Sequence, residues 1–168
     1  GVESKGETLK WIVDHLMILS GFIKEHFGFN PGKFFFSWLL KKASLNTVRM
    51  CISGGGPLPP ETFRKFNELG LDFIQGYGLT ESSPILTLNP PFDYEEKSIG
   101  KALPMTEISF GPKDSMGNGE ILARGPQVMK GYYNNPEATA EVLDSDGWLH
   151  TGDVGYMDDR GFIYLTGR

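Results

Sequence analysis

The chain has 168 residues, enough for one domain or two small ones, and its hydrophobic content of 39% suffices for a core. A net charge of −5, from 16 Lys+Arg against 21 Asp+Glu, excludes a whole-chain basic footprint, so nucleic acid is not an expected partner. One cysteine, Cys51, excludes an internal disulfide framework and suits a reducing, cytoplasmic setting, while 22 glycines and 11 prolines predict many turns and loops.

Residues 1–46 read as helical. Gly1 opens a polar, charged stretch rather than a secretory leader. Leu9, Ile12, Val13, Leu16 and Leu19 recur at helical spacing and give one apolar face. Asn30-Pro31-Gly32 interrupts the chain, and residues 34–42 predict a second, short helix. The apolar stretch at residues 16–23 is too short to span a bilayer. Both helices carry extra apolar residues, among them Met17, Ile18, Phe34, Phe35, Phe36 and Trp38. Core burial, or burial against another part of a larger protein, is the plainer explanation. The sharper one is a membrane-facing or acyl-chain-facing helix pair, which extends to peripheral membrane association of the parent protein.

Residues 47–78 predict strand, glycine-rich loop, helix and strand. Residues 47–52 are β-branched and apolar at their centre, and Ser53-Gly54-Gly55-Gly56-Pro57 is the loop. Pro60 sits near a helix start, where its missing N–H costs nothing, and Gly70 stands at the C-terminal position that favours glycine. Residues 72–75 make the next strand, and the connection has the length of a parallel crossover. From Pro90 onward short apolar runs alternate with Gly, Pro, Asp and Asn. Strands are expected at 107–110, 120–123, 154–157 and 162–165, with Asp158-Asp159-Arg160-Gly161 as a tight hairpin and a short helix at 136–143. The expected fold class is α/β: a partial parallel α/β subdomain over residues 1–90, then a small antiparallel β-barrel-like subdomain over 91–168.

Three constellations carry chemistry. The first is the loop at Gly54, Gly55, Gly56 and Pro57, where absent Cβ atoms let backbone approach a flat ligand at the carboxyl end of a parallel strand; a tight turn without ligand explains it equally well. The second is Gln75-Gly76-Tyr77-Gly78-Leu79-Thr80-Glu81. Here Tyr77 offers a ring to a base, Thr80 a hydroxyl to a phosphate, and Glu81 a hard oxygen for Mg²⁺. The third is Gly147-Trp148-Leu149-His150-Thr151-Gly152-Asp153, where the Asp153 carboxylate, at an expected strand start, could accept both hydroxyls of a ribose; taken alone, a turn or strand-cap carboxylate is the plainer explanation. His150 reads as a packed or hydrogen-bonded structural residue. The guanidinium of Arg168 suits ribose or phosphate oxygens.

These runs resemble the signatures of the adenylate-forming superfamily, which includes acyl-CoA synthetases, luciferases and the adenylation domains of peptide synthetases. The stretch from Gln75 to Glu81 resembles its signature, and Ser53-Gly54-Gly55-Gly56-Pro57-Leu58 its adenine-side loop. Gly119-Glu120-Ile121 with Arg124-Gly125-Pro126 and Gly131-Tyr132-Tyr133-Asn134, then Asp146 to Asp153, then Gly167-Arg168 are similar to the motifs that follow. The resemblance is nearest to long-chain fatty acid–CoA ligases. It implies that a carboxylate attacks the α-phosphate of Mg²⁺-bound ATP, and that coenzyme A then displaces AMP. By matching position, Thr80 would contact phosphate and Glu81 hold Mg²⁺; Gly54 to Pro57 and Tyr77 would enclose adenine; Asp153 and Arg168 would bind ribose; Gly78 and Leu79 would border the acyl carboxylate. The family's lysine-bearing phosphate loop and its mobile C-terminal domain are not in this sequence. The chain is therefore expected to be an internal fragment of the large N-terminal domain, to end at the hinge, to lack turnover alone and to self-associate through residues 34–38. An aryl or amino acid adenylating enzyme, or a non-catalytic nucleotide-binding module, are the alternatives.

Overall fold

The structure, a computed structural model, describes residues 2–56 and 58–168, with backbone alone for residues 2–6. Two compact units divide the chain: Gly1–Ser53, Leu58–Ile74 and Pro91–Glu96 in the first, and Gly54–Pro57, Gln75–Pro90 and Lys97–Arg168 in the second.

The first unit holds α1 (Val2–Phe27), α2 (Gly32–Phe35), α3 (Ser37–Lys42), β1 (Cys51–Ser53), α4 (Pro60–Glu68) and the start of β2 (Phe73–Tyr77). Residues 34–42 do not make one helix. They split at Phe36, which is buried and leaves helical geometry at φ −108°, ψ 19°. The strand expected at 47–52 is confined to β1, because residues 45–48 close a turn through Val48 N–H and Leu45 O. Helix α1 differs most from expectation. Leu9, Ile12 and Leu19 are exposed, and among its described side chains the buried ones are Ser20 and Lys24. The cause is a polar cluster: Lys24 Nζ donates to Asn67 Oδ1 at 2.5 Å and to Asp72 Oδ1 at 3.1 Å, and Lys33 also pairs with Asp72. Burial pushes the Lys24 ammonium below its ordinary pKa, against the pull of Asp72. Burial works to raise the Asp72 carboxyl, but hydrogen bonds from Lys33 and Asn30 and the charge of Lys24 outweigh it and hold the group low.

β1 and β2 form the parallel pair of a mixed sheet in the order β1-β2-β3-β4, with β3 (Thr87–Leu88) and β4 (Lys101–Ala102) antiparallel. The second unit then runs β5 (Glu107–Phe110), β6 (Gly119–Arg124), α5 (Pro136–Val142), β7 (Leu149–Met157) and β8 (Ile163–Gly167). Strands β5 to β8 make a curled antiparallel sheet in sequence order. Register shifts at Glu120/Leu122 and Val154/Gly155 add local twist. Its core is Ile99, Ile121 and Ile163, with Tyr77, Ile108 and Phe110 packed against it. The outer edge of β8 is met by backbone: Ile99 N–H donates to Ile163 O at 2.8 Å and Ile163 N–H to Gly100 O at 3.0 Å. The expected α/β class, with a parallel pair followed by an antiparallel sheet, is the one observed. Among the described residues no helix is long and apolar enough to cross a membrane.

Candidate nucleotide site

All the described candidate residues fall in the second unit. Gly54, Gly55 and Gly56 are exposed at the end of β1. Gly55 has φ +84°, which calls for glycine, but neighbours do not require glycine at the flanking positions. A Cβ on Gly56 would meet nothing within 4 Å, and one on Gly54 only Gly76 O at 3.7 Å. Packing thus does not explain two of the three glycines. Pro57 lies outside the described residues.

β2 ends beside that loop. Gln75 and Gly76 are buried, and Tyr77 packs its ring on the isoleucine core. Its hydroxyl donates to Asp153 Oδ2 at 2.6 Å. Burial, then that carboxylate, push the phenol pKa well above its ordinary value. Gly78 has no room for any side chain: a Cβ would stand 1.8 Å from Pro84 O. The chain returns this closely because Ser82 staples it. The buried Ser82 Oγ accepts from Leu79 N–H at 3.0 Å and lies 2.9 Å from Leu79 O and 3.0 Å from Pro84 O. Ser82 carries no capping signal in the sequence, because Leu79 rather than a Ser, Thr, Asp or Asn opens the turn. The staple leaves residues Thr80–Ser82 as one 3₁₀ turn, with Thr80 exposed and Glu81 half-buried.

Glu81 Oε1 accepts the Tyr132 hydroxyl at 2.7 Å. That bond first, then the residue's own backbone N–H, holds its carboxyl below the usual carboxylate range, and the same bond raises the Tyr132 phenol. Tyr132 is a second residue whose contact with the site motif reasoning misses. Among the described residues no group of three His, Cys, Asp or Glu could hold a metal ion. A lone ionised carboxylate still fits Mg²⁺, which takes one or two carboxylates and fills its shell with phosphate oxygens and water.

Asp153 sits in the middle of β7 rather than at its start, because the strand begins at Leu149. Its carboxylate is largely buried and takes the Tyr77 hydroxyl on one oxygen. Arg168 Nε stands 3.4 Å from the other, but that side chain is 78% exposed, so solvent weakens the pairing. Upstream, Glu120 holds the strand: Oε2 lies 3.0 Å from His150 Nδ1, and Oε1 accepts Gly152 N–H at 3.0 Å. His150 is thus hydrogen-bonded within the sheet.

The structure brings together Gly54 with Gly76, Tyr77 with Asp153 and Arg168, and Glu81 with Tyr132. Among the described residues the Thr80 side chain has no such partner. The cluster offers a hydroxyl and a carboxylate bonded to each other, with an exposed guanidinium beside the carboxylate. The family profile described as AMP-binding enzyme matches residues 15–133. The chain is 42% identical over 137 residues to a long-chain fatty acid–CoA ligase of Bacillus subtilis (strain 168), covering 77% of this chain and 24% of that protein. It is 38% identical over 143 residues to 4-coumarate-CoA ligase 2 of Narcissus pseudonarcissus, covering 77% and 25%. Among solved structures, o-succinylbenzoate CoA synthetase of Bacillus subtilis superposes with a TM-score of 0.66 at 35% identity, over 75% of this chain and 29% of that one. The chain spans about a quarter of the length of the curated relatives it matches.

Proposed function

Because this chain belongs to the AMP-binding enzyme family, we propose that it builds the nucleotide side of an enzyme that activates a long-chain fatty acid as its acyl-adenylate and passes the acyl group to coenzyme A. The observation that carries this reading is the Tyr77–Asp153–Arg168 cluster within one unit, alongside the exposed glycine loop. Asp153 presents a carboxylate whose remaining lone pairs suit the two ribose hydroxyls, and Arg168 adds donors to the same sugar. Gly54, Gly55 and Gly56 admit the adenine face, and the Tyr77 ring, packed from behind, closes the other side. The backbone at Gly78 and Leu79 borders the acyl carboxylate, and the Thr80 hydroxyl donates to a phosphate oxygen.

In the first half-reaction a carboxylate oxygen of the acid bonds to the α-phosphorus of ATP. The bond to the β-phosphate breaks, and pyrophosphate leaves with the electron pair. In the second, the coenzyme A thiol gives its proton to solvent, its sulfur bonds to the acyl carbon, and the bond from that carbon to the phosphate oxygen breaks, AMP leaving with the electron pair. Glu81 would hold Mg²⁺, which when bound neutralises charge on the phosphates. Every residue of this chain then acts by binding and orientation, the means by which such transfers are mostly accelerated.

The long-chain assignment rests on the fatty acid–CoA ligase relative; the coumarate relative, at nearly the same identity, makes an aryl acid the competing substrate. Carboxylate-dependent exchange of pyrophosphate into ATP, measured on the full-length protein across fatty and aryl acids, decides between them. Fatty acids of long chain should give the highest rate, and a preference for coumarate would overturn the assignment. Asp153→Ala should abolish AMP binding in calorimetry; unchanged binding would remove the nucleotide reading itself. The purified 168-residue chain should show no acyl-CoA synthesis above that of a Thr80→Ala, Glu81→Ala control.

A further inference from the structure

Tyr132 lies 51 residues from Glu81 in sequence, yet the segment that carries it is fastened to Glu81 twice. Met129 N–H donates to Glu81 O at 2.7 Å, and the Tyr132 hydroxyl donates to Glu81 Oε1 at 2.7 Å. The tyrosine is itself anchored at its backbone. Its N–H donates to Thr139 Oγ1 at 2.9 Å, and that hydroxyl donates to Asn135 O at 2.8 Å. Asn135 caps α5 by accepting Ala138 N–H on its side chain at 3.0 Å. Gly131 permits the approach: its φ is +142°, and a Cβ there would stand 2.9 Å from Thr139 Cγ2 and 3.0 Å from Thr139 Oγ1. A continuous line of hydrogen bonds therefore runs from the first turn of α5, through the tyrosine backbone, to one oxygen of the glutamate.

A glutamate on a single 3₁₀ turn has free side-chain torsions, and a carboxylate that must face a metal-bound phosphate loses affinity when it rotates. A neutral phenol fixes one oxygen without cancelling the negative charge, as a lysine or arginine would. Carboxylates that ligate metals are commonly held in this way by an outer hydrogen bond. Resting on the reading of Glu81 given above, we propose that Tyr132 is a positioning residue that aims the Glu81 carboxylate at magnesium-bound ATP, with Thr139 holding the tyrosine in place. Tyr132 touches neither nucleotide nor metal and acts through Glu81 alone.

Calorimetric titration of ATP into the full-length protein, once with Mg²⁺ and once with EDTA, tests this without any turnover. Tyr132→Phe should leave the EDTA affinity at the wild-type value and lower the Mg²⁺ affinity on the order of 10-fold. Thr139→Ala should shift the Mg²⁺ affinity in the same direction by less, and Thr139→Ser should restore it. If the phenylalanine variant does not fold, the threonine pair decides instead, and an unchanged Mg²⁺ affinity in Thr139→Ala then overturns the inference. Competition with Mn²⁺, followed by its paramagnetic resonance signal, should show the same ordering. A Tyr132→Phe protein with an unchanged Mg²⁺ gain overturns the inference alone, and so does an equal loss with and without the metal. A wild-type protein whose ATP affinity ignores Mg²⁺ overturns the reading of Glu81, and this inference with it.

Discussion

At the scale of single residues, the bond between Tyr77 and Asp153 is the most consequential contact of the site. The tyrosine ring packs on the core and its hydroxyl bonds Asp153, so ring and donor can be separated. Tyr77→Phe keeps the ring on Ile99, Ile121 and Ile163 and removes only the donor. A largely buried carboxylate then loses a partner, which costs on the order of 1 kcal/mol in stability. AMP affinity should fall with it by about 5-fold, because Asp153 is no longer aimed; unchanged affinity in calorimetry would show that the strand alone positions the carboxylate. Asp72 gives a pH-dependent counterpart. Its folded carboxyl is held below its ordinary value, so its contribution is present above the unfolded pKa of about 4 and is lost as pH falls through that value toward the folded one. Asp72→Asn also leaves the buried Lys24 without its counter-charge, and should destabilise the protein by about 3 kcal/mol at neutral pH. The gap between variant and wild type in urea denaturation should narrow below about pH 4, where the unfolded wild-type chain takes up a proton at Asp72 before the folded one does.

At the scale of elements, sequence and structure agree where local chemistry decides. Strands β5, β6 and β8, the C-terminal half of β7, the hairpin at Asp158 to Gly161 and the short helix opening at Pro136 are legible, because alternation, tight turns and a proline at the first helical position act within a few residues; residues 149–153 of β7 are not. β3 and β4, of two residues each, were not, since two residues carry no period. The inward side of α1 was illegible for another reason. Its apolar spacing pointed to leucines, but what buries Lys24 is a partner 48 residues away. The site divides in the same manner. Tyr77, Thr80, Glu81, Asp153 and Arg168 stood out as residue types in ordered motifs. The Ser82 staple and the Tyr132 bond did not, because each is a matter of where the chain returns. Gly78 offers a test of that return. Gly78→Ala would put a methyl 1.8 Å from Pro84 O, so the turn must open, and Thr80 and Glu81 should be displaced with it. Limited proteolysis between residues 78 and 84 should become faster in the variant, and resistance equal to wild type would show that the turn tolerates the methyl.

At the scale of the whole molecule, the first unit carries a large exposed apolar surface: Trp11, Ile18, Phe22, Phe27, Phe29, Phe34 and Trp38 each expose more than half of their area. So many large apolar side chains favour association by the area they remove from water. The isolated chain should sediment as more than a monomer, and Phe34→Ser with Trp38→Ser should lower that tendency; a stable monomer at high concentration would refute the expectation. How such association proceeds depends on the strand edges. Strand β5 is four residues long and lies between Pro104 and Pro112, and the outer groups of Ile163 on β8 are already taken by Ile99 and Gly100. At the first sheet, β1 has three residues and β4 two. Short edges, proline flanks and occupied backbone groups are what stop one sheet from growing onto the next. Assemblies of this chain should therefore stay finite and dissolve in mild detergent, and they should not mature into fibres that bind amyloid dyes.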